Sequence, residues 1–383
     1  MNQARPIRIM QVIARMNVGG PAVIVAELMR GLDSHKFQSI LVTGFCAQDE
    51  VDYLEEVAIE IPVTRIQGLG RSVSVFGDIE SFFTLLRMIR KFQPDVIHTH
   101  TAKAGVLGRV AGFIAYPRAK RIHTFHGHLL HGYFSPLNTK LVILIERFLA
   151  SISAALIAIG NKVKDDLLYA GVGKLNQFSV IFPGLGELDT QSKESAKFQL
   201  GLEADKTHLV FVGRLTQIKR PDRLVEIARH LKANHPKAKL LIVGSGEKSI
   251  ETQELAIRDS LPMIFLGWRN DVGRIFSAGD IAILCSDNEG IPLSLIQASQ
   301  AGLPIVSTNV GSVSDIVINQ KTGILTETDT ARLIQAVDEL ISNPLKMLEL
   351  GEAGIQRAKS HFSLKSMVQG HEELYSQVIT KIN

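Results

Sequence analysis

The chain has 383 residues, 45% of them apolar, with 31 Gly, 13 Pro, two Cys and a formal charge of +4. That length exceeds the reach of one hydrophobic core, so two domains are expected, and the composition speaks against a disordered chain or a disulfide scaffold. The charge is uneven: residues 1–180 hold 20 Lys/Arg against 14 Asp/Glu and the remainder 22 against 24, which sets an anionic partner or an acidic membrane surface beside the simpler reading of a solvated basic face.

The opening MNQARPIRIMQVIA enters a strand at once, without the apolar stretch of a secretory signal. IRIMQVI (7–13), FQSILVT (37–43), DVIHTH (95–100), RIHTF (121–125), ALIAI (155–159) and FSVIF (178–182) read as strands, and PAVIVAELMRGL, FGDIESFFTLLRMIRKF and SPLNTKLVILIERFLA between them have helical spacing. Such a βα series predicts a mostly parallel sheet covered on both faces. The longest apolar candidate, LVILIERFLASISAALIAIG (141–160), carries Glu146 and Arg147 and divides into a helix and a strand. Within ARMNVGGPA (14–22), Gly19 and Gly20 lie between strand and helix, where bare N–H groups and a helix N-terminus can approach a phosphate. Six of the 12 histidines fall between 98 and 131. Alternating histidines could ligate a metal, but no Cys accompanies them and no H-E-x-x-H appears, so no metal is expected. His98 and His123 are assigned to structure; His126, between a strand and Gly127, is assigned to hydrogen-bonding or acid–base work.

A polar stretch, 184–207, reads as a linker with one short helix. The alternation then restarts with HLVFVG (208–213), AKLLIVG (238–244), MIFLG (263–267), DIAILCS (280–286), LPIVST (303–308) and GILTE (323–327). The expected architecture is α/β: two doubly wound Rossmann-like domains facing a central cleft, with no repeat shared between them. Cys46 and Cys285 both sit in apolar, strand-like settings, which favours a reducing cytoplasm. In VGRLTQIKR (212–220), Arg214 leaves a strand and Lys219 opens a helix, a candidate anion clamp to weigh against two solvated charges. GSGEKS (244–249) ends in Ser249 where a dinucleotide fingerprint needs Gly, and no Walker motif occurs. In DNEGIPLSLIQASQAGLPIV (287–306), Gly290 makes a turn, Pro292 suits the first helical position, and the helix stops at Gly302. Glu289 on that loop can accept from backbone N–H groups and from substrate hydroxyls, or merely satisfy the helix dipole.

These segments together resemble the glycosyltransferase family 4 pattern in its two-domain GT-B fold. The resemblance rests on VGRLTQIKRPDRLVEIA and on FLGWRNDVGRIFSAGDIAILCSDNEGIPLSLIQASQAGLPIVSTNVGSVSDIV in the second half. In the first half NVGGPA, DVIHTHTAKAGVLGRVAG and HTFHGHLLHGYFSP are similar to bacterial members that build surface polysaccharides. It implies an acceptor-side domain over 1–185, a nucleotide-sugar domain over 186–363 and a last helix, 364–383, that packs back on the first domain. It also implies a retaining sugar transfer from a nucleotide diphosphate, most often UDP, to a lipid-linked or saccharide acceptor, without metal or other cofactor and without nucleic acid. Family positions place the Gly19–Gly20 backbone, Arg214 and Lys219 on the diphosphate and His126 and Glu289 at the transferred sugar, with Gly290, Ile291 and Pro292 forming that loop. Trp268 and Arg269 fall in the segment that recognises the base. The chain departs from the family's E-x7-E pair at its second member, which is Gln297, at the ribose hydroxyls. An amide still donates and accepts there, so binding should survive at a cost of about 1 kcal/mol, roughly fivefold in affinity.

Two other functions share these residues. A sugar-nucleotide 2-epimerase uses the same fold but would want extra carboxylates near the sugar, and an inactive donor-binding module is suggested only by Gln297. The expected setting is cytoplasmic, peripheral to the inner face of the cell membrane, with FFTLLRMIRKF either meeting that surface or simply filling core.

Overall fold

The computed structural model describes residues 5–72, 74–127 and 136–380, and the latter part of HTFHGHLLHGYFSP, with its His128 and His131, lies outside them. The chain divides into two compact units, residues 1–184 with 364–383, and residues 185–363.

The first unit is built on seven parallel strands: β1 (Ile7–Ile13), β2 (Phe37–Thr43), β3 (Val63–Arg65), β4 (Val96–His100), β5 (Lys120–Phe125), β6 (Ala155–Ala158) and β7 (Phe178–Val180). Their spatial order is β3-β2-β1-β4-β5-β6-β7, every pair parallel. Helices cover both faces, so β1 and β6 are largely apolar, while β4 and β5 bury His98, Thr99, His100, His123 and Thr124 among them. Met10 and Val12 point to one face, where they meet Leu85 and Ile89 of the helix Val75–Phe92 and Ala104 and Ala111 of the helix Ala102–Ala115. Ile13, one residue on, points to the other face and packs with Ala22, Val25 and Ala26 of the helix Gly20–Gly31. The short strand β3 escapes the period-2 signal because it has three half-buried or exposed residues at the sheet edge. Cys46, read as part of a strand, lies in the loop beyond β2, whereas Cys285 is buried; both thiols are free.

The last helix, Leu364–Thr380, belongs to this unit. It lies against the helix Gly20–Gly31 so closely that a Cβ on Gly31 would come within 2.3 Å of Val368 Cγ2. Its Met367, His371 and Tyr375 are buried. FFTLLRMIRKF divides between the two expectations: Leu85, Leu86 and Ile89 are core, while Phe83 is exposed.

The second unit carries β8 (Thr207–Val212), β9 (Ala238–Val243), β10 (Met263–Gly267), β11 (Ile281–Leu284), β12 (Ile305–Thr308) and β13 (Gly323–Thr326). Their order is β10-β9-β8-β11-β12-β13, again all parallel. Most of the expected linker is integral to this unit. The helix Lys193–Gln199 buries Ala196 and Lys197, and the Lys197 ammonium is satisfied by the carbonyls of Lys206 at 2.7 Å and Ala204 at 3.2 Å.

In both sheets the strand order reverses beside the first strand, between β1 and β4 and between β8 and β11. Loops leaving these neighbours diverge to opposite faces and open a crevice at the strand carboxyl ends. One buried ion pair braces the first unit: Arg109 Nη2 donates to both oxygens of Glu146 at 2.9 and 2.8 Å, with the two side chains 0% and 5% exposed. Arg109→Met leaves the carboxylate uncompensated and should cost about 3–5 kcal/mol in urea unfolding, whereas adding Glu146→Leu should restore most of it. Equal stability of the single and double variants would contradict this.

Candidate active site

In the second unit Arg214 and Lys219 follow β8 and Glu289 follows β11, on either side of the strand-order reversal, whereas Trp268 and Arg269 follow the edge strand β10. Arg214 lies just beyond β8, exposed and without a side-chain partner among the described residues. Lys219 ends the 3-10 turn Gln217–Lys219 and pairs directly with Glu289, 70 residues away beyond β11. Glu289 is 9% exposed, and its Oε1 also accepts from Ser286 Oγ at 2.6 Å. The loop between Glu289 and the helix Leu293–Gln300 is fixed by Ser312 N–H donating to the Gly290 carbonyl at 3.1 Å. The N–H groups of Gly290 and Ile291 have no partner among the described residues and remain available to an acceptor. Pro292 is the N-cap of that helix, not its first residue, and Leu293 begins it. Either place suits a residue without an N–H.

Gln297 lies in the second turn of the same helix, half-buried, with an amide that bonds to nothing among the described residues. Trp268 is 42% exposed beyond β10, while the Arg269 guanidinium is folded onto Asp271 at 2.7 and 2.6 Å. What Arg269 offers a ligand is therefore its backbone.

The GSG segment has a role the fingerprint search does not detect. Gly213 N–H donates to the Val243 carbonyl, Leu215 N–H to Ser245 and Lys248 N–H to Leu215, so the loops beyond β8 and β9 run side by side. Gly244, at φ 121, would set a Cβ 2.2 Å from the Gly213 carbonyl oxygen. Ser286 and Arg223 were likewise missed. Arg223 is buried at 5% exposure, donates to the Cys285 carbonyl at 2.6 Å and pairs with Asp287 at 2.7 Å, which holds the strand end that presents Glu289. Its only sequence signal is an arginine on the apolar side of the helix Pro221–Asn234.

In the first unit Gly19 is the N-cap of the helix Gly20–Gly31, in extended backbone, with Pro21 in the first turn. Thr101, beyond β4, has φ 64 and accepts from Ala14 N–H at 3.2 Å, tying the two loops at the switch point. A β-branched residue held there stores backbone strain. His126 follows β5, and its Nε2 lies 3.0 Å from His100 Nδ1. His98 and His100 are fully buried, and each ring nitrogen has a hydrogen-bond partner, so neither offers a free ligand atom. The one group of three potential metal ligands among the described residues, His230, His235 and Asp338, lies elsewhere, with both Nε2 atoms bonded to one Asp338 oxygen.

Comparison with known proteins identifies the family. Residues 192–357 match the family described as glycosyl transferases group 1, and residues 19–178 match the glycosyl transferase 4-like domain. An Escherichia coli UDP-Gal:alpha-D-GlcNAc-diphosphoundecaprenol alpha-1,3-galactosyltransferase is 28% identical over 76% of this chain and 78% of its own. The Staphylococcus aureus capsular polysaccharide biosynthesis glycosyltransferase CapM is 24% identical over 85% and 86%. Among solved structures, Anabaena HepE in complex with UDP and glucose superposes with a TM-score of 0.83 at 20% identity, covering 97% of this chain and 100% of that one. Sucrose-phosphate synthase from Thermosynechococcus elongatus gives 0.82 at 21% identity, covering 98% and 100%. The chain belongs to the GT-B glycosyltransferases, and it is an enzyme of that class.

The histidines make the first unit acid-sensitive. Burial drives His98, His100 and His123 well below the usual range, with neighbouring charges adding to it. Burial first and then His371 holds His126 down to about 3, and burial holds His371 down to about 4. These folded values lie below the unfolded value of about 6.5, so the unfolded chain binds more protons in between and stability falls as pH falls through that window. Melting temperature should drop progressively from pH 6.5 toward pH 4, and His98→Asn with His123→Asn should flatten the profile. A flat wild-type profile would show the rings to be charged in the fold.

Proposed function

We propose that the protein is a retaining glycosyltransferase that moves a hexose or N-acetylhexosamine from a UDP-sugar to a lipid-linked or saccharide acceptor in bacterial cell-surface polysaccharide biosynthesis. The single observation that carries this reading is the Lys219–Glu289 pair at the strand-order reversal, with exposed Arg214 and the bare N–H groups of Gly290 and Ile291 beside it. Relatives named for galactosyl transfer to a diphosphoundecaprenol-linked sugar and for capsule synthesis support the substrate class, and structural neighbours bound to UDP support the nucleotide.

In the proposed reaction Arg214 and Lys219 neutralise the diphosphate as it leaves, which is stabilisation aimed where charge develops. The Gly19–Gly20 backbone approaches the same phosphates. Glu289 accepts from sugar hydroxyls, His126 contacts the same sugar, and Gln297 bonds the ribose. The loop of Trp268 and Arg269 receives the base. An acceptor hydroxyl attacks the anomeric carbon on the face the phosphate leaves; the new C–O bond forms as the old one breaks, and a phosphate oxygen takes the proton. Two fixed cations then do the work that a metal does elsewhere, and no cofactor is required.

The acceptor's setting is the cytoplasmic side of a membrane. No helix of the described residues is long and apolar enough to cross one. Phe76, Ile79 and Phe83 are exposed on the helix Val75–Phe92, with Arg87 and Arg90 exposed further along it, a pairing suited to an anionic surface.

A UDP-sugar should raise the melting temperature of the wild-type protein, and Lys219→Ala should abolish the rise. Equal shifts in both would refute the diphosphate assignment, and an epimerised donor would indicate the 2-epimerase. Gln297→Glu should tighten the donor about fivefold; no change would place residue 297 outside the site. With an acceptor in hand, the product should retain the donor's anomeric configuration, and a chelator should leave the rate unchanged.

A further inference from the structure

A chain of hydrogen bonds runs from His126 to the last helix. His126 Nε2 meets His100 Nδ1 at 3.0 Å, and His100 Nε2 meets Gln11 Oε1 at 2.9 Å. Gln11 Nε2 donates to Tyr375 Oη at 3.1 Å, Tyr375 Oη meets His98 Nδ1 at 2.7 Å, and His98 Nε2 meets Thr124 Oγ1 at 2.7 Å. Gln11, His98, His100 and Tyr375 are all 0% exposed, so water replaces none of these contacts. The residues come from β1, β4, β5, the loop beyond β5 and the helix Leu364–Thr380.

Donor and acceptor rules leave few ways to place the protons. Burial keeps the imidazoles neutral, so each has one N–H and one lone pair. The phenol has one proton, and burial holds it on. Two arrangements give every contact one donor and one acceptor while using the phenol proton. In the first, the Gln11 carbonyl accepts from His100, Tyr375 donates to His98, and His98, His100 and His126 all carry their proton on Nε2. In the second, the Gln11 amide is flipped and all three carry it on Nδ1. The far end of the chain decides between them. His126 Nδ1 is buried without a partner among the described residues. The first arrangement leaves a lone pair there and the second an N–H, and a buried unpaired N–H is the rarer and costlier of the two.

We propose that Tyr375 is a positioning residue for His126: through Gln11 and His100 it fixes the His126 imidazole in one orientation, with the proton on Nε2 and the lone pair on Nδ1. The proposal rests on the placement of His126 in the sugar-transfer site made above. It assigns His126 a definite part. A neutral ring whose one N–H is committed to His100 has no proton to give, so it contacts the sugar without acting as a general acid. It also gives the last helix a part in catalysis, since that helix carries the phenol that closes the chain.

Two further histidines act as internal controls. Thr99 Oγ1 donates its only proton to the Ile122 carbonyl at 3.2 Å, so it accepts from His123 Nδ1 at 2.9 Å. His371 Nδ1 lies 2.8 Å from the Met367 carbonyl, which can only accept. Both must therefore be Nδ1–H.

The test is nitrogen NMR of the whole protein labelled with 15N-histidine near neutral pH. The expected pattern is Nε2–H for His98, His100 and His126 and Nδ1–H for His123 and His371. Different tautomers at His98 and His126, or Nδ1–H at His126, would overturn the proposal, and this measurement needs no variant. In Tyr375→Phe, either orientation of Gln11 leaves one end of its amide unpaired, the N–H in the first and the carbonyl in the second, so His100 and His126 should show mixed tautomers. Under saturating acceptor, kcat should fall about tenfold with donor KM about unchanged, and Tyr375→Phe should add nothing in a His126→Ala background. Full activity of Tyr375→Phe beside an impaired His126→Ala would overturn the positioning role and leave the proposed function standing. Full activity of His126→Ala would remove His126 from the transfer site, and with it this role of Tyr375, whatever tautomers the spectra show.

Discussion

The charged groups of the candidate site are placed by one constraint, that a parallel sheet is covered on both faces. Strands such as Ile7–Ile13 and Ile281–Leu284 spend their side chains on packing, and the helices that return the chain seal each side. Only the strand ends escape, and at the carboxyl ends the loops are free to carry charge. Where the strand order reverses, two such loops part and leave room for a ligand. Arg214, Lys219 and Glu289 in one unit and Gly19, Gly20 and Thr101 in the other all occupy that position. The topology thus concentrates the chemistry at two places before any particular side chain is considered.

The charges at the second of these places are held ready without being spent. Lys219 is paired with Glu289, and Ser286 bonds the same carboxylate oxygen, so the carboxylate is oriented from two sides. Arg214 has no such partner among the described residues. Under the proposed function, an arriving diphosphate therefore meets one free guanidinium and one ammonium already balanced, and an incoming sugar meets a carboxylate whose second oxygen remains for its hydroxyls. Around them Arg220 and Arg223 are tied to Asp287, which keeps the surplus of cations from collapsing onto Glu289.

Sequence patterns expose this fold well because its periods are strong. Twelve of the strands fall on segments expected from the sequence, and the thirteenth, Val63–Arg65, is too short and too exposed to stand out. Arg214, Lys219 and Glu289 are visible because they sit at fixed offsets from strand ends. What escapes is anything whose meaning depends on a distant partner. Nothing in a run of residues says that Lys219 will meet Glu289, that Gly244 clears the way for the Gly213 carbonyl, or that Arg223 will reach Cys285. The stretch 184–207 looks like a linker because it is polar, yet its Lys197 is buried by finding carbonyls that composition cannot reveal.

The histidines show the same limit at its sharpest. Their crowding between 98 and 131 invites a metal, and each ring alone would suit one. Packed together, the ring nitrogens of His98 and His100 are consumed by His126, by Gln11, by Thr124 and by a tyrosine more than 270 residues further along the chain. An apolar core would hold β1, β4 and β5 together as firmly, and burying these polar groups costs desolvation. A fully satisfied network gives what an apolar core lacks, a single directional arrangement. Leucines in these places could slide or repack, but a chain of donors and acceptors fits in only two ways, and one unpaired lone pair on His126 selects between them. The cost falls in the core, and the gain appears at its edge, at the ring assigned to the sugar.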